Sequence, residues 1–198
     1  MATTDADAAQ QTFSALRGRA IDSYATLEHA VCHLFATVTG MASDVAPIVF
    51  FKITAPRFVH VIIEKLLKKQ HGTTYRTFWN SVSKKLDALS QKRNSIVHWT
   101  IVATTVNNVF MGVELRPGHA ILGSDANLDD VALSAFIAEC RFLAELIFAF
   151  NAFLQTDATE RPHPWGAVPR QTWHDIFQQE VIYPPPCTHP LFQIPAVH

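Results

Sequence analysis

Apolar residues recur along the first forty positions at Phe13, Leu16, Ala20, Tyr24, Leu27, Val31, Leu34 and Val38, in steps of three and four. That rhythm holds one stripe on one side of a long helix, and Gly40 is a natural stop for it. The stretch MASDVAPIVFFKITAP (41–56) reads as a connector ending at Pro56. A second helix is predicted from about Arg57 to Gln70, with Val59, Ile62, Ile63, Leu66 and Leu67 turned inward and His71-Gly72 closing it. Thr73 or Thr74 can cap a third, on which Tyr75, Phe78, Val82, Leu86 and Leu89 keep the period. It runs to about Val97 or His98.

The period then changes. TIVATTV (100–106) and VFMGVEL (109–115) are rich in β-branched residues and flank Asn107-Asn108. Asn tolerates positive φ, so the pair reads as a two-residue hairpin turn, and Arg116-Pro117-Gly118 ends the hairpin. A fourth helix follows from about Asp129, with Leu133, Phe136, Cys140, Leu143, Ile147 and Leu154 on one face. From Glu160 onward prolines forbid long helices, yet Trp165, Trp173, Phe177, Tyr183 and Phe192 are too apolar for a free tail. This tail is expected to wrap over the helices, with Gln171–Gln179 as one short helix. The chain therefore reads as mainly α: an antiparallel helical bundle with a β-hairpin insert (about 100–116) and an irregular Pro-rich C-terminal tail. The helical domain takes 1–157 and the tail 158–198.

Composition narrows the class. At 198 residues the chain can bury a sizeable core without disulfide or metal staples. Its 48% hydrophobic and 17% charged residues exclude general disorder, and some of that apolar surface suits an oligomer. No apolar run approaches the roughly 18 residues a membrane span requires. The acidic start MATTDADAAQQ lacks a signal-peptide pattern. Cys32, Cys140 and Cys187 form no disulfide or zinc spacing. A reducing, cytoplasmic location without membrane attachment is expected.

The net charge of −1 hides a segregation. From Lys52 to Arg93 ten basic residues face only Glu64 and Asp87, giving +8, while the rest of the chain carries −9. Such asymmetry suits a surface that meets phosphate; solvated helix faces give the same pattern. Lys65, Lys68, Lys69, Lys84, Lys85 and Lys92 are the candidate phosphate contacts.

One local string carries chemistry: Gln91-Lys92-Arg93-Asn94-Ser95-Ile96-Val97-His98-Trp99. Arg93 continues the inward stripe, four residues after Leu89 and three before Ile96. It cannot shed its charge, so that place calls for an acidic partner or an incoming anion. Asn94 and His98, four apart, share a helix face. Arginine can hold phosphate oxygens bidentately and stabilise transition-state charge. Histidine can take the proton of a ribose 2′-hydroxyl or give one to the leaving 5′-oxygen, and Asn can orient either. That route needs no metal and no cofactor.

An R-N-x-x-x-H string ending an amphipathic helix, in a chain whose first helix carries Leu27-Glu28-His29-Ala30-Val31, resembles the HEPN superfamily over about residues 10–155. The resemblance implies a homodimer in which the motifs of two subunits share one cleft. It also implies a metal-independent endoribonuclease of toxin, defence or RNA-processing type, with Arg93, Asn94 and His98 as the catalytic set. RNA or a nucleotide is then the partner, with a regulatory protein besides. One toxin branch carries a tyrosine two positions after the histidine; here that position is Thr100. The alternative is a non-catalytic HEPN-like module that binds RNA, a nucleotide or a partner protein.

Smaller signals stay open between uses. Glu28 can pair with Arg93 or orient His98. Trp99 can stack on a base or fill the core. His60 and His71 can touch RNA, though solvated surface suits them better. His29 and His33 have metal-ligand spacing but no visible third ligand, so no metal is expected. In a purely structural reading, Arg93 is salt-bridged inside the bundle and His98 ends a helix.

Overall fold

The first helix, α1 (Asp5–Thr39), closes as its sequence requires. Gly40 takes φ 70°, its N–H reaches Thr37 O at 3.3 Å, and Met41 N–H reaches Ala36 O at 3.1 Å. This pair of reversed bonds satisfies carbonyls a helix end leaves open. The computed structural model describes residues 5–53, 55–106, 109–118, 127–156 and 168–192. Among them the protein is mainly helical, with one two-stranded antiparallel sheet.

The connector after α1 holds a short helix, α2 (Ala46–Phe50), which the sequence reading missed. Pro47 marks its start rather than breaking it, because the first turn has no use for that N–H. The third helix, α3 (Pro56–His71), starts on Pro56 in the same way and ends at Gly72 with φ 64°. The fourth, α4 (Arg76–His98), continues through the chemical string. Thr74, expected as a cap, instead donates its hydroxyl to His71 O at 2.9 Å.

Strands β1 (Thr100–Val106) and β2 (Val109–Arg116) pair from Thr100↔Arg116 to Val106↔Val109. That register leaves two residues for the turn, and Asn107 and Asn108 themselves lie outside the described residues. A bulge lies between Thr104 and Thr105. Helix α5 (Asp130–Gln155) opens on Asp129, whose Oδ1 accepts the Ala132 N–H at 2.8 Å, a side-chain N-cap. In the tail, α6 (Arg170–Ile176) is the expected short helix, and a single 3₁₀ turn covers Pro190–Phe192. No helix of the described residues is long and apolar enough to cross a membrane.

The chain divides into two compact units, 1–25 with 89–140 and 26–88 with 141–198. In the first, Phe13, Ala20, Tyr24, Leu89, Ile96, Leu115, Leu133 and Phe136 are buried, and the Tyr24 and Phe136 rings stack at 6.3 Å. The second holds the larger aromatic core. There Phe177 from the tail meets Phe78, Phe150 and Phe153 at 4.9–5.3 Å between ring centres. The tail is fastened again where Val181 N–H reaches the Ser81 hydroxyl at 2.9 Å. Phe150 and Phe153 are buried on α5, whereas Leu154, expected inward, is half-buried.

The basic stretch around His60 suggests a surface position, but the second unit buries it to 7% exposure. Its Nδ1 lies 3.2 Å from Asp87 Oδ1, and its backbone carbonyl accepts the Trp79 indole N–H at 3.0 Å. Burial holds the imidazole below its ordinary value of 6.5, and this outweighs the upward pull of the half-exposed Asp87 carboxylate. A folded-state value below the unfolded one means stability is complete above pH 6.5 and lost as pH falls through the folded value. Thermal melts between pH 7.5 and 5 are therefore expected to fall in Tm. His60→Gln, which cannot charge, should fall less over that interval.

Candidate functional site

Everything in the chemical string follows from the last turns of α4. Ile96 is buried in the first unit and fixes the rotation of the helix. Lys92, Asn94 and His98 are then exposed, while Arg93 and Trp99 are half-buried. Arg93 stands where the stripe put it. Its Cζ lies 5.8 Å from the centre of the Tyr24 ring, and an Nη donates to Asn94 Oδ1 at 3.3 Å, near the long limit. The Nε is buried and has no hydrogen-bond partner. Among the described residues Arg93 makes no ion pair. A cation–π contact is worth about 0.5–1 kcal/mol at partly exposed sites, less than the cost of a buried donor left open. The guanidinium is thus positioned by a ring and left with donors to spare.

The string comes together in part. Arg93 and Asn94 touch. His98, one turn beyond Asn94 on the exposed side, makes no hydrogen bond to either among the described residues. Glu28 is half-buried in the second unit, outside the unit that holds Arg93, Asn94 and His98.

Sequence reasoning missed what holds the helix end. Arg17 of α1 donates Nε to Ile96 O at 2.8 Å and Nη2 to Val97 O at 2.7 Å. These are last-turn carbonyls without partners inside the helix, and a planar guanidinium spans two at once. Nothing near Arg17 in sequence announces this, because its targets lie 79 and 80 positions away. Arg17→Met is expected to cost about 1.5–3 kcal/mol, the range for hydrogen bonds to a charged group, read as a lower urea midpoint. Amides 96–99 should exchange faster in the same variant.

The six lysines divide. Lys65, Lys68 and Lys69 stand exposed on α3, Lys84 is exposed on α4, and Lys85 is half-buried; Lys92 belongs to the other unit. Lys68 lines a narrow cleft with Glu64, Tyr75, Arg76 and Trp79. Lys68, Lys69 and His71 also occupy the last turn of α3, where positive charge is favoured by the helix dipole.

One other candidate group loses its chemistry to burial. Cys140 is fully buried, and burial with Glu139 nearby pushes its thiol up to about 12 despite Lys92; it is no nucleophile at neutral pH. The rings of His29 and His33 lie 6.2 Å from Phe51 and 5.8 Å from Phe148. No group of three metal-ligating side chains forms among the described residues.

Glu114 on β2 was also missed. It is 9% exposed, and its oxygens accept from Thr104 at 3.0 Å, Arg116 Nε at 2.6 Å and Asn127 at 2.5 Å. These donors, Asn127 foremost, hold its carboxyl below the ordinary carboxylate value despite its burial. An available signal was Arg116, two residues along the same strand face. No protein-family model matches this chain, and no curated protein or solved structure matches it either.

Proposed function

We propose that this chain is a HEPN-like, metal-independent endoribonuclease acting as a homodimer, with Arg93, Asn94 and His98 as its catalytic set. The observation that carries the reading is Arg93: a positioned guanidinium with a buried, unpartnered Nε and no carboxylate beside it among the described residues. A phosphate is one anion whose geometry such a fork fits. His98 lies exposed on the same helix end, free to reach a ribose.

In this reading His98 removes the 2′-hydroxyl proton and the 2′-oxygen attacks phosphorus. The bond to the 5′-oxygen breaks, and that oxygen takes a proton from a second histidine or from water. The products are a 2′,3′-cyclic phosphate and a 5′-hydroxyl. Arg93 holds the charge that gathers on the non-bridging oxygens. A homodimer supplies the second histidine and brings two arginines to one phosphodiester.

The second reading is a module that binds RNA, a nucleotide or a protein without cutting. It is favoured by the absence of a hydrogen bond from His98 to Arg93 or Asn94 within one chain. A mixed-sequence RNA incubated with the protein in EDTA separates the two. Cleavage to 2′,3′-cyclic ends supports the nuclease; intact RNA retained by the folded protein supports the binder. Intact RNA that is not retained removes both as RNA readings.

A further inference from the structure

The first unit contains an open groove of about 780 Å³ that the RNA reading does not use. One wall is the N-terminal half of α1, where Phe13 and Leu16 make an apolar floor. The opposite wall is β2, from Met111 to Glu114. That volume is typical of a ligand cleft, and 64%-exposed Met111 leaves a large apolar side chain uncovered at its edge.

The strand wall is also a sheet edge. β2 pairs with β1 on one side only. On its outer side Leu115 exchanges both backbone bonds with Leu128, at 2.8 and 3.0 Å. Backbone groups of an extended strand alternate in direction, so those of Val113, two residues back, point to the same outer side. Among the described residues no strand or bridge covers Val113 there, and Val113 lines the groove. An open N–H and C=O beside an apolar floor is what an added strand requires.

Charge selects the occupant. Among the described residues three carboxylates, Glu114, Asp129 and Asp130, line the groove against one cation, Arg19. Glu114 is engaged internally, while Asp129 and Asp130 are exposed. We propose that this groove binds an extended peptide of alternating apolar and basic residues, added as a third strand along the open edge of β2. Apolar side chains would cover Phe13, Leu16 and Met111, and basic ones would meet the two aspartates. A second copy fits worse, because two-fold pairing of this edge sets the same carboxylates against each other.

The test is fluorescence anisotropy with a labelled octapeptide of alternating Lys and Val. Controls are the Glu/Val octapeptide and a Lys/Val peptide methylated on alternate backbone nitrogens. The Lys/Val peptide is expected to bind, with Val113→Pro and peptide methylation each weakening it by roughly tenfold or more. Val113 is opposite Ala103 in a pair that exchanges no ladder bonds, so the proline leaves the β1 pairing intact. Asp130→Lys should weaken binding as well. If Val113→Pro disturbs the hairpin by circular dichroism, the methylated peptide carries the test alone. No binding at about 1 mM peptide, equal binding of the Glu/Val peptide, or indifference to methylation overturns the proposal. A protein dimer that Val113→Pro dissociates also overturns it, giving the edge to a second copy.

Discussion

His98→Ala is expected to lower RNA cleavage in EDTA by roughly a hundred- to ten-thousand-fold, the usual contribution of a general acid–base group, while leaving the fold intact. His98 is the last residue of α4 and is exposed, and its side chain makes no hydrogen bond among the described residues. The helix end is held by Ile96 in the core and by Arg17 on the carbonyls, not by the imidazole. Circular dichroism and the urea midpoint should therefore match wild type, so lost cleavage reports chemistry. Arg93→Lys is the companion. It keeps the charge but loses the planar fork, and should leave most of the cleavage defect of Arg93→Ala in place. Cleavage that survives His98→Ala unchanged would remove the nuclease reading; intact RNA binding in that variant would leave the site as a binder.

The sequence reveals an element well where one residue decides a local matter. Gly40 and Gly72 end helices because their positive φ values are cheap only there, and Asp129 starts one because its side chain reaches Ala132 N–H. The four long helices and the hairpin register follow from periods of 3.6 and 2. Long-range choices are hidden. His60 lies in a basic stretch and reads as surface, but a histidine can be buried neutral, and Trp79 and Asp87 make a place for it. Arg17 and the Ile96 and Val97 carbonyls are joined only by folding. The candidate string is half-legible for the same reason. Helical geometry gives the shared side of Asn94 and His98, whereas the Tyr24 ring under Arg93 is a tertiary fact.

Trp173→Ala should cost about 3–5 kcal/mol of stability, the range for deleting a buried large aromatic side chain. The residue is 0% exposed, and its indole stacks on Phe177 at 5.5 Å. Phe177 in turn contacts Phe78, Phe150 and Phe153, so the cavity opens beside the aromatic centre of the second unit. On the same helix Arg170 lies 4.1 Å over the Phe153 ring and donates to Phe153 O at 3.2 Å. Domains are stable by only about 5–15 kcal/mol, so the loss is a large share and shows as a much lower urea midpoint. Phe192→Ala is the control. At 56% exposure it shares the tail but leaves no cavity, and it should shift the midpoint within about 0.5 kcal/mol. Equal midpoints for Trp173→Ala and wild type would mean the tail is an addition to the second unit. The expected gap instead makes residues 168–192 part of its core, so a chain truncated before Arg170 should lose stability together with α6.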